Sequence, residues 1–345
     1  MSSEKVMTGM SGGVDSSVSA YLLLQRGFEV AGVTLQLCEN SKESNIEDAR
    51  SVCEKLGIPH YCFDLKKEFN KCVIENFTSQ YIRGKTPNPC IVCNKYIKFG
   101  EMIKIAENYG YTKIATGHYA RIKKENGRYL LLRAKDVSKD QSYVLYMLTQ
   151  EQLSKAIFPL GEYSKNEIRN IAQSNGFVNA DRPDSQDICF VPDGDYASFI
   201  EQNTEYTPCG GDYVDVNGNF LGKHKGIIHY TIGQRRGLGI ALGKPQFVVS
   251  KNSDTNRVVL ADEEFLFSKE VTVKDVNFIP FDSLKREMRV TAKLRYRHEA
   301  QPAVIVPLKE NEIKIIFDQP QRAASPGQAA VFYDGDTVVG GGTII

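Results

Sequence analysis

The sequence predicts an α/β protein with a doubly wound parallel sheet at the N-terminal side and a small antiparallel β-barrel at the C-terminal end. Three observations carry this. Through about residue 118, short apolar runs alternate with amphipathic stretches, as in strand–helix–strand units. A turn reading SGGVDSS, residues 11–17, lies between the first apolar run and the first helical stretch. From Pro208 on, glycine and short β-like runs dominate, and tight apolar–polar alternation follows from about Val271, a pattern suited to a barrel.

The elements follow in order. Val6–Gly9 reads as a short buried strand and Ser17–Gln25 as a helix stopped by Gly27. Glu29–Leu37 is mostly apolar, as parallel strands are. A helix over Ile46–Leu56 ends at Gly57, and His60–Phe63 is the third strand. Phe69, Val73, Phe77 and Tyr81 place one apolar stripe on a helix from Leu65 to Ile82. Asn88-Pro89 opens the next helix, running to about Tyr109, because asparagine caps and proline is tolerated in the first turn. Lys113–Thr116 is a further strand, ending in Gly117-His118. Between about 158 and 200 there is one clear helix, Ser164–Asn175, with a Ser cap and Glu167 three residues on. Gly226–Thr231, Gln246–Ser250 and Arg257–Ala261 are the β-like runs of the middle region. The barrel strands read as 289–295, 312–317, 330–333 and 337–339.

A chain of 345 residues holds two or three domains. No apolar run approaches the length of a membrane span, so no membrane partner is expected and the expected location is the cytoplasm. The eight cysteines show no regular pairing pattern, which argues against a secreted disulfide scaffold. The net charge of +1 gives by itself no case for nucleic acid.

SGGVDSS can cradle an anion. Its glycines let several N–H groups turn toward one site, and the following helix adds the positive end of its dipole. It is not a Walker A loop, since no GK[ST] follows. Asp15 can hold Mg²⁺ on a departing pyrophosphate or act only as a helix-start carboxylate. Residues 88–94 read NPCIVCN. With Asn88 as cap, Cys90 and Cys93 lie in the first turns of a helix, whose N-terminus favours thiolate and lowers the thiol pKa. Cys189 lies far downstream in DSQDICFV, residues 184–191. A pair plus one distant cysteine suits a nucleophile, a resolving thiol and a persulfide carrier, although free cysteines are often small buried hydrophobes. Cys38, Cys53, Cys62, Cys72 and Cys209 carry no motif and are read as the latter.

Along most of its length the chain resembles the bacterial tRNA-specific 2-thiouridylases of the ATP pyrophosphatase (PP-loop) superfamily. The resemblance rests on GMSGGVDSS (9–17), TPNP and CNK (within 86–95), ATGHYAR (115–121), KDQSY (139–143), FPLGEYSK (158–165), ICF (188–190), HYTIGQRRGLG (229–239), RYR (295–297) and SPGQAAVFY (325–333). It implies a HUP-like PP-loop domain over 1–200, a small central tRNA-binding domain over 201–272 and a β-barrel over 273–345. It also implies ATP-dependent conversion of the wobble uridine of glutamate, glutamine and lysine tRNAs to 2-thiouridine, with sulfur supplied by a cysteine desulfurase or a relay protein. Cys93 would be the catalytic cysteine and Cys189 the persulfide carrier. ATP contacts would fall on Gly9, Met10, Ser11, Gly12, Gly13, Val14, Asp15, Ser16, Leu35 and Gly117. Contacts to tRNA would fall on His118, Lys139, Asp140, Gln141, Arg295, Tyr296 and Gln328.

Many relatives carry Asp where this chain has Cys90. Three thiols, Cys90, Cys93 and Cys189, are the number that binds three irons of a [4Fe–4S] cluster, so a cluster-bound hydrosulfide is an alternative to a persulfide as sulfur source. His118, after a strand-ending glycine, is expected to face the cleft. The 234–239 turn reads either as a solvated hairpin or as a phosphate clamp. Tyr296 reads either as a base-stacking residue or as core. Rival functions are a PP-loop ligase forming a C–N bond, a non-catalytic sulfur or cluster carrier that binds tRNA, and thiolation of another RNA.

Overall fold

The computed structural model describes residues 3–39, 43–180, 182, 188–191, 193–309 and 311–345. Its first part is a five-stranded parallel sheet built from β1 (Lys5–Gly9), β2 (Glu29–Gln36), β3 (His60–Asp64), β4 (Lys113–Ala115) and β7 (Ala156–Ile157), in the order β3-β2-β1-β4-β7. Strand pleating sends alternate residues to opposite faces. Val6 therefore packs under α1 (Val14–Gln25) and α2 (Glu43–Leu56) with Val18, Leu23 and Val52, while Met7 faces Phe99, Met102 and Tyr143 on the other side.

Helix α1 starts at Val14, earlier than the expected Ser17, because the extended backbone of Gly13 already acts as its cap. Residues 66–82 (α3) and 89–108 (α4) are each continuous helices that contain a π-helical stretch, Asn70–Ile74 and Asn94–Glu101, a local widening of the helix that recurs at functional sites. Helix α5 (Gln150–Lys155) precedes β7. Helix α6 (Lys165–Ser174) has the expected capping box between Ser164 and Glu167 and packs on α1. A second helix in this stretch, α7 (Tyr196–Asn203), was not expected.

The central region is a four-stranded sheet of β8 (Gly211–Val214), β9 (Phe220–His224), β10 (Phe247–Asn252) and β11 (Arg257–Ala261), around Tyr213, Tyr230, Val248 and Leu260. The expected β-run at Gly226–Thr231 is instead a 3-10 turn, Ile227–His229. Gly226 at φ +129° breaks the extended chain, and Ile227 turns inward to the central core.

Strands β12 (Phe267–Phe278), β15 (Glu312–Arg322), β14 (Gln301–Lys309), β13 (Met288–Lys293), β16 (Ala329–Asp334) and β17 (Thr337–Ile344) form the expected antiparallel barrel, closed by β12 pairing with β17. A hairpin of the first part, β5 (Ala120–Glu125) and β6 (Arg128–Arg133), extends the barrel sheet through Leu132 opposite Thr337. One apolar core joins Met7, Val33 and Phe99 to Val331, Tyr333 and Val338. The barrel is thus a fixed wall beside the parallel sheet. No described helix is long and apolar enough to cross a membrane.

Candidate active site

The phosphate loop leaves β1 at the carboxyl edge of the sheet, where open α/β sheets bind ligands. Gly12 has φ +72°, and a Cβ there would stand 2.5 Å from the Asn45 carbonyl oxygen, so only glycine fits. The loop is internally bonded: Ser16 Oγ donates to Gly13 O at 2.9 Å and accepts from Ser11 N at 3.2 Å. Asn179 Nδ2 donates to Gly12 O at 2.9 Å, and Arg182 donates to the same oxygen at 3.1 Å and to Asp48 at 2.7 Å. Gly13 offers no side-chain acceptor to the first turn of α1, which leaves that turn's N–H groups for an anion. Met10 and Val14 point into the core, so they can serve a nucleotide only through their backbone.

Asp15 is held by a cation of the chain itself. Lys165 Nζ, almost fully buried, lies 2.8 Å from both carboxylate oxygens, and Tyr119 donates its hydroxyl to one of them at 2.8 Å. Gly117 passes so close beneath the loop that a Cβ would lie 2.9 Å from the Asp15 carbonyl carbon.

The thiols gather on the far side of the same strand end. Thr34 Oγ1 on β2 donates to Met10 O at 2.9 Å. Its neighbour Leu35, with Leu37, packs into an apolar cluster that holds Cys93, Ile97, Phe69, Phe77, Ile188 and Phe190. Asn88 caps α4 as expected, its Oδ1 accepting from Cys90 N at 3.1 Å. Cys93 is 7% exposed, whereas Cys90 and Cys189 have exposed surface. Burial pushes the Cys93 thiol up to about 11, against the pull of Lys98. Crowding by protein atoms, then the neighbouring Cys93 and Cys90 thiols, push Cys189 up to about 12. Crowding by protein atoms also raises Cys90, against the pull of Lys98, although part of its side chain reaches solvent. The expected lowering by the helix terminus is therefore reversed, because desolvation outweighs the dipole. Segment 184–187 of the DSQDICFV stretch lies outside the described residues.

The three thiols feel one another electrostatically, yet among the described residues no three His, Cys, Asp or Glu side chains form a metal-holding group.

The residues expected at tRNA divide. Tyr296 is half-exposed, its ring 5.9 Å from that of Tyr143, with Lys293 Nζ 6.0 Å from both rings. It also feels the Cys90 thiol, so the barrel wall faces the thiols. His118 does not face the cleft. It is buried against Phe99 and Phe158, bonded to Thr116 Oγ1 at 2.7 Å, and held neutral by burial and Lys98. Asp140 is buried, accepting from Ala134 N, Ser142 N and Ser142 Oγ. Gln141 accepts from Tyr119 N at 2.9 Å and so fixes the strand after His118. Lys139 lies in the same turn. Arg295 donates to Ile232 O, Ala323 O and Ser325 Oγ, joining the central sheet to the barrel. Gln328 lies in the Ser325–Gln328 turn, where Pro326 O accepts from Thr86 N at 2.9 Å just before the cysteine helix.

Sequence reasoning missed Lys98, Lys165, Tyr119, Asn179 and Arg182. Lys98 pulls on all three thiols and on His118. It sits five positions after Cys93, inside the π-helical stretch, and nothing local in the sequence marks it.

Comparison with known proteins agrees with this geometry. A tRNA methyl transferase HUP-domain model matches residues 4–193, a PRC-barrel domain model of the same family matches 197–262, and an aminomethyltransferase β-barrel domain model matches 268–344. The chain is 51% identical to the tRNA-specific 2-thiouridylase MnmA of Acetivibrio thermocellus, over 100% of both chains. It is 52% identical to MnmA 1 of Thermoanaerobacter sp. strain X514, over 99% of this chain and 97% of that one. It is 50% identical to MnmA of Clostridioides difficile strain 630, over 99% and 98%. With the phosphate loop and the thiol cluster meeting at one strand end, the chain belongs to the tRNA-specific 2-thiouridylase MnmA family.

Proposed function

We propose that this protein is an ATP-dependent tRNA-uridine 2-sulfurtransferase acting on the wobble uridine of glutamate, glutamine and lysine tRNAs. The observation that carries the reading is the strand end at Thr34–Leu35, which bonds the phosphate loop on one side and packs into the cysteine cluster on the other.

The target base leaves the anticodon stack and enters between the sheet edge and the barrel wall. Its C2 oxygen attacks the ATP α-phosphate, while the first-turn amides of α1 receive the departing pyrophosphate. Gly9 to Ser16, Leu35 and Gly117 line the nucleotide in this reading. Lys165 brings positive charge to the loop through Asp15. Asp15, already paired with one cation, is also the residue that would hold Mg²⁺, which supplies further charge to the pyrophosphate. AMP then serves as leaving group. The terminal sulfur of a Cys189 persulfide, loaded by a desulfurase or relay protein, attacks C2. Cys93 resolves the persulfide, leaving a Cys93–Cys189 disulfide. Lys98 is the cation that offsets desolvation of these sulfurs when they ionise. Tyr296, Lys139, Gln141 and Gln328 are assigned to the tRNA side. His118, Asp140 and Arg295 are assigned to supporting that surface from within.

The test is nucleoside mass spectrometry of tRNA from cells lacking the chain, complemented with wild type, Cys93→Ser or Cys189→Ser. We expect 2-thiouridine derivatives to vanish and to return only with wild type, while both variants still bind tRNA. Restoration by both variants overturns the assignment. ATP cleavage to AMP and pyrophosphate that is indifferent to thiol alkylation favours the C–N ligase reading.

A further inference from the structure

We propose that Cys90 is a second resolving thiol, which takes over the Cys93–Cys189 disulfide, stores it as Cys90–Cys93, and so frees Cys189 for the next sulfur. This rests on the thiolation reading above, which generates the first disulfide.

Cys90 and Cys93 are three residues apart in the helical segment Pro89–Cys93. On a helix that spacing brings two Cβ atoms to about 5–6 Å, close enough for a small rotation of the first turn to reach the ~3.5–4.5 Å of a disulfide. Two features of the fold ease that rotation. The pair lies at the helix terminus, where Asn88 alone caps the first turn, and the π-helical stretch begins directly after Cys93, at Asn94.

Exposure is divided in a useful way. Cys93 is packed among Ile97, Phe77 and Phe190, so its sulfur is shielded from external thiols, and these can compete for the first disulfide only at the exposed Cys189 sulfur. Cys90 has open surface and is tethered one turn away. Its attack is effectively intramolecular and outcompetes a bimolecular reductant.

The exchange balances. The Cys90 sulfur, giving up its proton, bonds to the Cys93 sulfur. The Cys93–Cys189 bond breaks, and Cys189 departs with the electron pair and takes up a proton. One disulfide is lost and one formed, with no net oxidation. The two electrons that later restore the dithiol come from an external thiol reductant, two monothiols or one dithiol, attacking at the open Cys90 sulfur.

The full-length protein is oxidised anaerobically with one equivalent of diamide, acid-quenched, alkylated and mapped by peptide mass spectrometry. Wild type and the exposed-cysteine control Cys209→Ser are expected to hold Cys90–Cys93 with Cys189 alkylated, and Cys90→Ser to hold Cys93–Cys189. A wild-type map showing Cys93–Cys189 with Cys90 alkylated overturns the proposal. In turnover with tRNA, a persulfide donor and glutathione, Cys90→Ser is expected to make about one 2-thiouridine per enzyme and then slow at least tenfold. Sustained wild-type turnover by Cys90→Ser also overturns it. Should the disulfide shift appear while wild type makes no 2-thiouridine, the exchange stands and the thiolation reading falls.

Discussion

Replacing Gly117 by alanine strikes the phosphate loop from beneath. The added Cβ would stand 2.9 Å from the Asp15 carbonyl carbon, 3.0 Å from Ser16 N and 3.1 Å from Asp15 Cβ, where ordinary contact begins near 3.4 Å. The two nearest atoms are backbone, so no side chain can swing aside, and the gap of 3.4 − 2.9, or 0.5 Å, must come from movement of the loop or of the end of β4. The loop resists, being tied to Asn179, Arg182 and its own serines. Overpacking of this kind costs about 1–3 kcal/mol of stability. Misplacement by about 1 Å near a reacting centre can cost roughly 100-fold in rate, so half that displacement gives roughly tenfold. The assay pairs ATP affinity by calorimetry with tRNA-dependent pyrophosphate release, and urea unfolding on the same samples separates the stability effect. A Gly117→Ala protein with unaltered stability, ATP affinity and rate would refute the claim that this glycine sets the height of the loop.

Other expectations follow from the same geometry. Asn88→Ala removes the cap of the cysteine helix and lowers stability by about 1 kcal/mol, read from the urea midpoint, whereas Asn88→Asp retains most of it. Arg295→Met removes the donor to Ile232 O in the central region and to Ser325 Oγ beside the barrel, while Ala323 O keeps only Ser325 Oγ. It should cost about 2–4 kcal/mol and open the central region to limited proteolysis before the parallel-sheet part; simultaneous cleavage of both parts would contradict that linking role. Iodoacetamide labelling of Cys93 should climb steadily above neutral pH and reach half its limiting rate only near pH 11; a plateau by pH 8 would show that burial does not govern this thiol. The same shift fixes a stability trend. The folded thiol pKa lies above its reference value of 9.0, so its contribution is complete below pH 9.0 and is lost as pH rises through about 11. Cys93→Ser should therefore show a shallower alkaline unfolding profile than wild type.

What was legible in the sequence was whatever local chemistry dictates. SGGVDSS marked the phosphate loop because glycines at a strand-to-helix boundary have few other reasons to be there. Asn88-Pro89 marked the cysteine helix because capping is a property of four or five adjacent residues. The barrel showed through its alternation. The rest depended on partners distant in the chain. Lys165 reads as an ordinary first-turn lysine until the fold sets it on Asp15, 150 residues earlier. The hairpin at 120–133 was missed because its first strand is mostly charged and half-exposed, and its buried residues Ala120 and Leu131 find their apolar partners in distant parts of the chain, the parallel sheet and the barrel. The direction of the thiol shifts was misread for a related reason. The helix terminus offers about 0.3–1 kcal/mol to a charge, whereas the rise of Cys93 from 9.0 to about 11 corresponds to about 3 kcal/mol, and that burial is set by Phe77, Ile97 and Phe190 together.

The pairing of Leu132 with Thr337 bears on how the molecule is made. A ribosome adding ~5–20 residues per second needs on the order of 10–40 s to travel the roughly 200 residues from one partner to the other. For that interval the nascent hairpin carries an unzipped edge, the kind of surface to which stray strands attach. That edge belongs to β6, whose end residues Arg128 and Arg133 serve as charged guards until the final strand arrives.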